Sequence, residues 1–233
     1  MTKWNGKNKS VTFSFDDGVT QDKRLIEMFN RYGLKGTFNL NSSFLGLEWE
    51  LERNNHHISH NKVAPKDVAE VYAGHEVAVH TLTHPNLILE TDESIIKQVE
   101  EDRKVLEKLV GYPIRGMAYP CGGINNDDRV AKVIRECTEI CYARTVNSTY
   151  SFDLQENLYR FNPSVYYIEV KKLFELGEKF IHLKADTPQL FYIWGHSFEM
   201  DAEYIRWEKF EEFCKLISGK DDIFYGTNSE VLL

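Results

Sequence analysis

The chain is short of cysteine, proline and net positive charge, and it has no long hydrophobic run. Each shortage removes a class of protein. Four cysteines in 233 residues (Cys121, Cys137, Cys141 and Cys214) do not make a disulfide framework, and a chain of this length does not need one. Cys137 and Cys141 stand in CTEIC, but no second Cys or His cluster lies nearby, so they read as two buried thiols. Cys214 lies in an apolar helical run and reads as core. The formal net charge of -8 argues against nucleic acid and anionic membrane as partners. No apolar stretch is long enough to span a bilayer and no signal peptide opens the chain, so the sequence reads as soluble. It is cytoplasmic as it stands, or secreted if a leader has been removed. Oligomeric state is left open. No repeat, low-complexity segment or Pro/Gly/Ser linker divides the chain, and residues 1–233 read as a single domain.

What is present is 42% hydrophobic and 27% charged residues, enough to bury a sizeable core. Short apolar runs alternate with helical patterns. Strands are expected at 10–15, 35–40, 76–80, 114–119, 139–144, 158–162, 189–196 and 222–227. Helices are expected at 22–32, 65–73, 92–110, 127–137, 168–180 and 202–218. Gly33 is placed to cap the first helix, and Pro65 to open the second. This alternation implies a parallel sheet, and seven or eight such units favour a distorted (β/α) barrel over an open doubly wound sheet. No GxGxxG or Walker pattern follows the first strand, so a nucleotide fold has little support. The polar stretch 41–64 fits neither pattern. It reads as an excursion over the rim, with His56, His57 and His60 as solvated surface.

Chemistry-bearing residues fall at strand ends. Asp16 and Asp17 close the first strand in VTFSFDDG. His80 closes the third and His84 follows four residues later in VAVHTLTHPN. Pro120 and Cys121 follow the fourth strand, Arg144 ends the fifth and His196 the seventh. In a parallel barrel these ends meet on one face, where barrel enzymes keep their sites. One carboxylate and two imidazoles suffice to hold a divalent metal with positions left open, and the remaining carboxylate is free to act as a base. The blander alternatives are helix capping for the carboxylates and hydrogen-bonded core positions for the histidines. Two adjacent carboxylates serve a glycosidase poorly, because its pair must flank the scissile bond from opposite sides.

The runs SFDDG (14–18), HTLTH (80–84), AYPCGG (118–123) and IWGH, ending at His196, resemble the polysaccharide deacetylases of carbohydrate esterase family four. The resemblance covers nearly the whole chain and implies a distorted (β/α) barrel. It implies Asp17, His80 and His84 as metal ligands, with zinc the usual ion and cobalt or nickel as substitutes. It also implies Asp16 as general base, His196 as the acid that protonates the departing amine, and the Cys121 backbone N–H as oxyanion donor. Tyr119 and Trp194 are carried as substrate contacts, although Trp194 serves equally well as barrel core.

The chain departs from the family pattern at two places. Ala118 stands where an arginine would orient the base, and the fourth motif is not recognisable. Arg144, ending a neighbouring strand, is the expected replacement, against the alternative of a purely structural arginine. Glu199 is placed to raise the pKa of His196. The expected activity is metal-dependent removal of N-acetyl groups from an N-acetylglucosamine-containing glycan, with acetate released. The alternatives are an O-deacetylase of the acetylxylan type or a small-molecule amidase. A catalytically weak carbohydrate-binding protein is the alternative from another class.

Overall fold

The computed structural model describes residues 3–233. In chain order the elements are β1 (Lys9–Asp16), α1 (Asp22–Tyr32), β2 (Gly36–Leu40), β3 (Glu50–Arg53), β4 (His56–Ser59), α2 (Val68–Val71), β5 (Glu76–Val79), α3 (Asp92–Val110) and β6 (Gly116–Ala118). They continue as α4 (Asp128–Cys137), β7 (Tyr142–Arg144), β8 (Val165–Tyr166), α5 (Val170–His182), β9 (Gln189–Gly195), α6 (Trp207–Ile217), β10 (Ile223–Tyr225) and α7 (Asn228–Leu232). Eight strands form one parallel sheet in the order β7-β6-β5-β2-β1-β9-β8, with β10 beside the start of β1. The sheet is curled and open, a distorted (β/α) barrel flanked by helices.

The two edges of the sheet come close without pairing. Phe161 N–H donates to Ala143 O on β7 (3.0 Å), and three residues later Ser164 N–H donates to Tyr192 O on β9 (2.8 Å). The strand expected at 158–162 is therefore corrected. Leu158–Arg160 is a 3-10 turn, Phe161 makes an isolated bridge to Arg144, and the strand proper is Val165–Tyr166. Pro163 interrupts the run, having no N–H to give to a ladder. The last long helix starts at Trp207 rather than 202, behind a turn in which Glu203 takes φ +53°.

Side-chain alternation sorts the sheet into two faces. Val11, Phe13 and Phe15 of β1 point outward into a core shared with Leu25, Ile26 and Phe29 of α1 and Phe210 and Phe213 of α6. Phe13 packs on Phe29 at 4.7 Å and edge-on to Phe210 at 6.3 Å. Each such ring contributes roughly 1.5–3 kcal/mol by leaving water. The alternate residues Thr12, Ser14 and Asp16 face inward, where the lining is polar and bonded. Thr12 donates to Asn228 Oδ1 (2.9 Å), Asn39 Nδ2 to Ser14 Oγ (2.9 Å), and Thr37 Oγ1 to Glu76 Oε2 (2.8 Å).

The helix α7 was not anticipated. It sits against β1 with a capping box in which Thr227 accepts from Glu230 N–H and Glu230 accepts from Thr227 N–H. Cys214 is buried as expected. The reading of Cys137 and Cys141 as buried thiols is corrected, since Cys137 is exposed and Cys141 half-exposed at the end of α4 and in the turn after it. Among the described residues no helix is long and apolar enough to cross a membrane.

Candidate active site

The inward-facing residues at the C-terminal ends of the strands surround a cavity of about 700 Å³. Asp16, Asp17, His60, Lys62, His80, His84, Cys121, Trp194 and His196 line it, with Phe44, Trp49 and Leu51 of the 41–64 excursion on one side. Parity explains the convergence. Asp16 is in register with Asn39 on β2, and Ala118 with Arg144 across β6 and β7.

Asp16 is buried and doubly held. Its Oδ1 accepts from Asn39 Nδ2 (2.8 Å), and its Oδ2 accepts from an Nη of Arg144. Arg144 is wholly buried; its other Nη donates to Thr145 O (3.0 Å) and its guanidinium lies over the Trp194 ring at 4.6 Å. His196 Nε2 lies 4.0 Å from Asp16 Oδ2.

Asp17 turns the other way, onto the histidines. Its backbone is left-handed (φ +81°), and Gly18 follows at φ +60°. A side chain on Gly18 would place its Cβ 2.7 Å from Leu40 Cδ2, so both conformation and space require glycine there. Asp17 Oδ1 lies 3.8 Å from His80 Nε2 and 3.7 Å from His84 Nε2. Ligand atoms of these three residues all fall within 4.8 Å of one another. Atoms bound at about 2.0–2.2 Å to one tetrahedral ion would stand roughly 3.4 Å apart, so the set fits a divalent cation with little movement.

The tautomers suit ligation. His80 Nδ1–H donates to Ala118 O (2.9 Å), which leaves its Nε2 lone pair facing Asp17 and His84. Burial pushes the His80 pKa down to about 4, only partly offset by Asp16, which keeps the ring neutral at physiological pH. Burial would raise the Asp17 carboxyl, but the hydrogen bond from His60 and the charges of Lys62 and His196 hold it well below the usual carboxylate range. His84 is placed by a left-handed turn in which its N–H donates to Thr81 Oγ1 (3.1 Å).

His196 differs from the other two. Burial would lower its pKa, but Glu199, Asp17 and Asp16 together push it up to about 9. Glu199 Oε1 stands 3.4 Å from His196 Nδ1, and Oε2 accepts from the His196 backbone N–H (3.0 Å). Tyr166 OH donates to Glu199 and its ring stacks on Trp194 at 4.2 Å. The arrangement offers a buried carboxylate held by a cation, a protonated imidazole 4.0 Å from that carboxylate, and a metal-ligand set beside them.

Two expected residues sit differently from the rest. Cys121 is at the cavity with a left-handed backbone (φ +68°), and its Sγ lies 3.8 Å from His84 Nδ1. Its carbonyl is tied down by Asn125 Nδ2 (2.7 Å). Tyr119, carried as a substrate contact, is among the residues lining the cavity, though it is wholly buried and its hydroxyl donates to Tyr159 O (2.7 Å). Alternation is the reason: Ala118 faces inward, so Tyr119 turns into the outer core. Trp194 does face the cavity.

Sequence reasoning missed Asn39, Tyr166, His60 and Lys62. The reading of His60 as solvated surface is corrected. It is buried between Trp49 (5.0 Å) and Phe198 (4.8 Å), with Nε2 3.3 Å from Asp17 Oδ2. Its neighbours His56 and His57 lie on the β3–β4 hairpin, half-exposed and exposed respectively. Asn39 was within reach of the sequence, since parity on β2 puts it on the same face as Asp16.

A family model described as polysaccharide deacetylase matches residues 3–138. No curated protein matches the chain. Among solved structures, a CE4 family pseudoenzyme from Bacillus anthracis shares 16% identity at a TM-score of 0.57, covering 97% of this chain and 66% of that one. The chain thus spans about two thirds of the length of that relative. The peptidoglycan deacetylase PdaC of Bacillus subtilis shares 18% at a TM-score of 0.56, covering 96% and 90%. A polysaccharide deacetylase from Bacillus cereus shares 14% at 0.54, covering 94% and 91%. At these identities the likeness is one of fold.

Proposed function

The chain belongs to the polysaccharide deacetylase family, and on that premise we propose that it removes N-acetyl groups from an N-acetylglucosamine-containing glycan, releasing acetate. The observation that carries this reading is the separation of two carboxylates at one strand end. Asp17 meets the imidazole nitrogens of His80 and His84, while Asp16, one residue earlier, is held apart by Arg144 and Asn39. One solved structure of this fold is described as a pseudoenzyme, so the fold alone does not carry activity and the residue set must.

Asp17, His80 and His84 would hold the divalent cation, zinc in this reading, with cobalt or nickel able to substitute. That ion supplies Lewis-acid polarisation of the acetyl carbonyl and eases ionisation of water near neutral pH. Asp16 is the general base, taking one proton from the attacking water as the new C–O bond forms. Arg144 fixes the carboxylate by its charge-assisted bond, doing from β7 what an arginine at position 118 would do from β6. The backbone N–H of Cys121 donates to the tetrahedral oxyanion. His196, an imidazolium up to about pH 9, gives its proton to the amine as the C–N bond breaks. Trp194 and the stacked Tyr166 form the wall for the acetyl methyl. Residues 1–233 are read as one catalytic domain.

The test is acetate release from N-acetylglucosamine oligomers by the zinc-supplemented protein. Release should stop with chelator and return with metal. Release from acetylxylan or small amides alone would replace the substrate assignment, and release from none of these would refute the catalytic reading.

A further inference from the structure

The backbone at Asp17 is strained, and the structure contains what holds it. A non-glycine residue in the left-handed region is uncommon and persists only where its surroundings over-determine it. The surroundings here are the return limb of the 41–64 excursion. Thr20 N–H donates to Asn61 O (2.8 Å) and Val63 N–H to Gly18 O (3.0 Å), on either side of an antiparallel bridge between Val19 and Lys62. This pairing begins directly after Asp17. Lys62, its side chain 2% exposed and its Nζ 5.2 Å from the Trp49 ring centroid, donates to the Asp17 carbonyl (2.7 Å).

His60 acts on the side chain of the same residue. Its Nδ1 is buried with no hydrogen-bond partner, so a proton there would be left unsatisfied. The favoured tautomer carries the proton on Nε2, which points at Asp17 Oδ2 from 3.3 Å. With Oδ2 engaged, only Oδ1 is left to face His80 and His84. His60 itself stands outside the compact ligand set.

We propose that His60 is a positioning residue that fixes the rotation of the Asp17 carboxylate, so that it offers a single oxygen to a cation, with the 61–63 limb and Lys62 anchoring the backbone beneath it. This inference rests on the metal-ligand reading above. His60 neither binds the ion nor touches substrate.

The test is competition titration of Co²⁺ and Zn²⁺ into the full chain against a chromophoric chelator, with the Co²⁺ visible spectrum recorded. His60→Phe keeps the packing between Trp49 and Phe198 and removes the donor. It should weaken metal affinity about 10- to 100-fold while leaving the band pattern unchanged, as expected for loss of a group behind a ligand. His60→Gln, which can present an amide N–H near the same place, should recover most of the loss. If His60→Phe does not fold, His60→Leu serves the same comparison. Unchanged affinity in the folded donor-less variant overturns the proposal. So does a change in the Co²⁺ bands that marks a lost ligand, since His60 would then be one. If the unsubstituted protein binds neither ion, the metal-ligand reading falls as well. If it binds them and the variants bind equally, that reading stands and only the role of His60 is lost.

Discussion

Arg144→Ala should damage catalysis by freeing the carboxylate that the arginine holds. The side chain is wholly buried, and so is the Asp16 carboxylate it serves. Its Nε has no partner, and its remaining contacts are the Thr145 carbonyl and the Trp194 face. Removing one member of a buried ion pair typically costs about 3–5 kcal/mol, because the other charge is left uncompensated. Asp16 keeps one neutral donor, Asn39, and a histidine 4.0 Å away. The His196 imidazolium offsets part of that penalty, which places the cost at the lower end of the range, and the carboxylate is no longer held in one orientation. At 1.36 kcal/mol per factor of ten, a loss of about 3 kcal/mol corresponds to roughly 100-fold, and kcat/KM should fall by about that much.

A second substitution separates position from chemistry. Ala118 is the register partner of Arg144 on the adjoining strand, about 4.8 Å away. Arg144→Ala combined with Ala118→Arg should restore much of the activity, since a guanidinium reaches the same carboxylate from the next strand. Ala118→Arg alone should be destabilising, because position 118 is wholly buried and Arg144 already fills the space. The assay is acetate release across pH, with circular dichroism to confirm folding. A folded Arg144→Ala variant with unchanged turnover at every pH would refute the reasoning.

Glu199→Gln should lower the basic limb of the pH–rate profile for kcat/KM. His196 is pushed up to about 9 against the effect of burial, with Glu199 foremost among the groups that raise it. A cation on Asp17 cancels that residue's share, so the wild-type limb should lie below 9 and the variant's lower still, toward the ordinary histidine value; an unmoved limb would remove Glu199 from the account. Asp22, buried against Ser197 and Tyr72, is raised by burial to about 7. An acid whose folded pKa exceeds its unfolded value binds the extra proton in the native state, so its share of stability is full below about pH 4 and falls away as pH rises toward 7. Asp22→Asn should flatten that slope in urea-unfolding series at pH 4 to 8. Gly18→Ala should cost about 2 kcal/mol through the left-handed backbone and the clash with Leu40, seen as a lowered Tm, and should weaken metal binding in parallel because Asp17 adjoins it.

Much of this architecture was legible because the determinants were local. The span 92–110 shows helical periodicity, and Thr91 accepts from Ser94 N–H at its start while Gly111 takes φ +79° at its end. Apolar runs marked the inner strands, since both faces of β1 and β2 are buried. The excursion was opaque because the burial of His60 is not local. Phe198, which covers one side of its ring, comes from a segment far along the chain, and a polar HHISH run gives no sign of it. The 158–162 run misled for a different reason. It has strand-like composition, but its one ladder contact is Phe161 to β7, and the bond to β9 comes only at Ser164, beyond Pro163, so the run lies outside the ladder that Val165–Tyr166 forms.

Position 118 shows how a motif and its function come apart. Read by its order, AYPCGG lacks the arginine and offers Tyr119 as an aromatic for substrate. Read by strand parity, Ala118 is the inward residue and Tyr119 the outward one, so the tyrosine goes to the core and the small alanine leaves room inside. The guanidinium that occupies that room comes from Arg144, which has the same parity one strand over. A parallel sheet allows this exchange because neighbouring strands present equivalent inward positions about 4.8 Å apart, and a guanidinium at the end of a long side chain can span the difference. The requirement imposed by the chemistry is a cation against Asp16, not an arginine at one place in the chain. Double substitution at 118 and 144 is therefore the sharpest test of whether this site is a rearranged catalytic centre or a vestige of one.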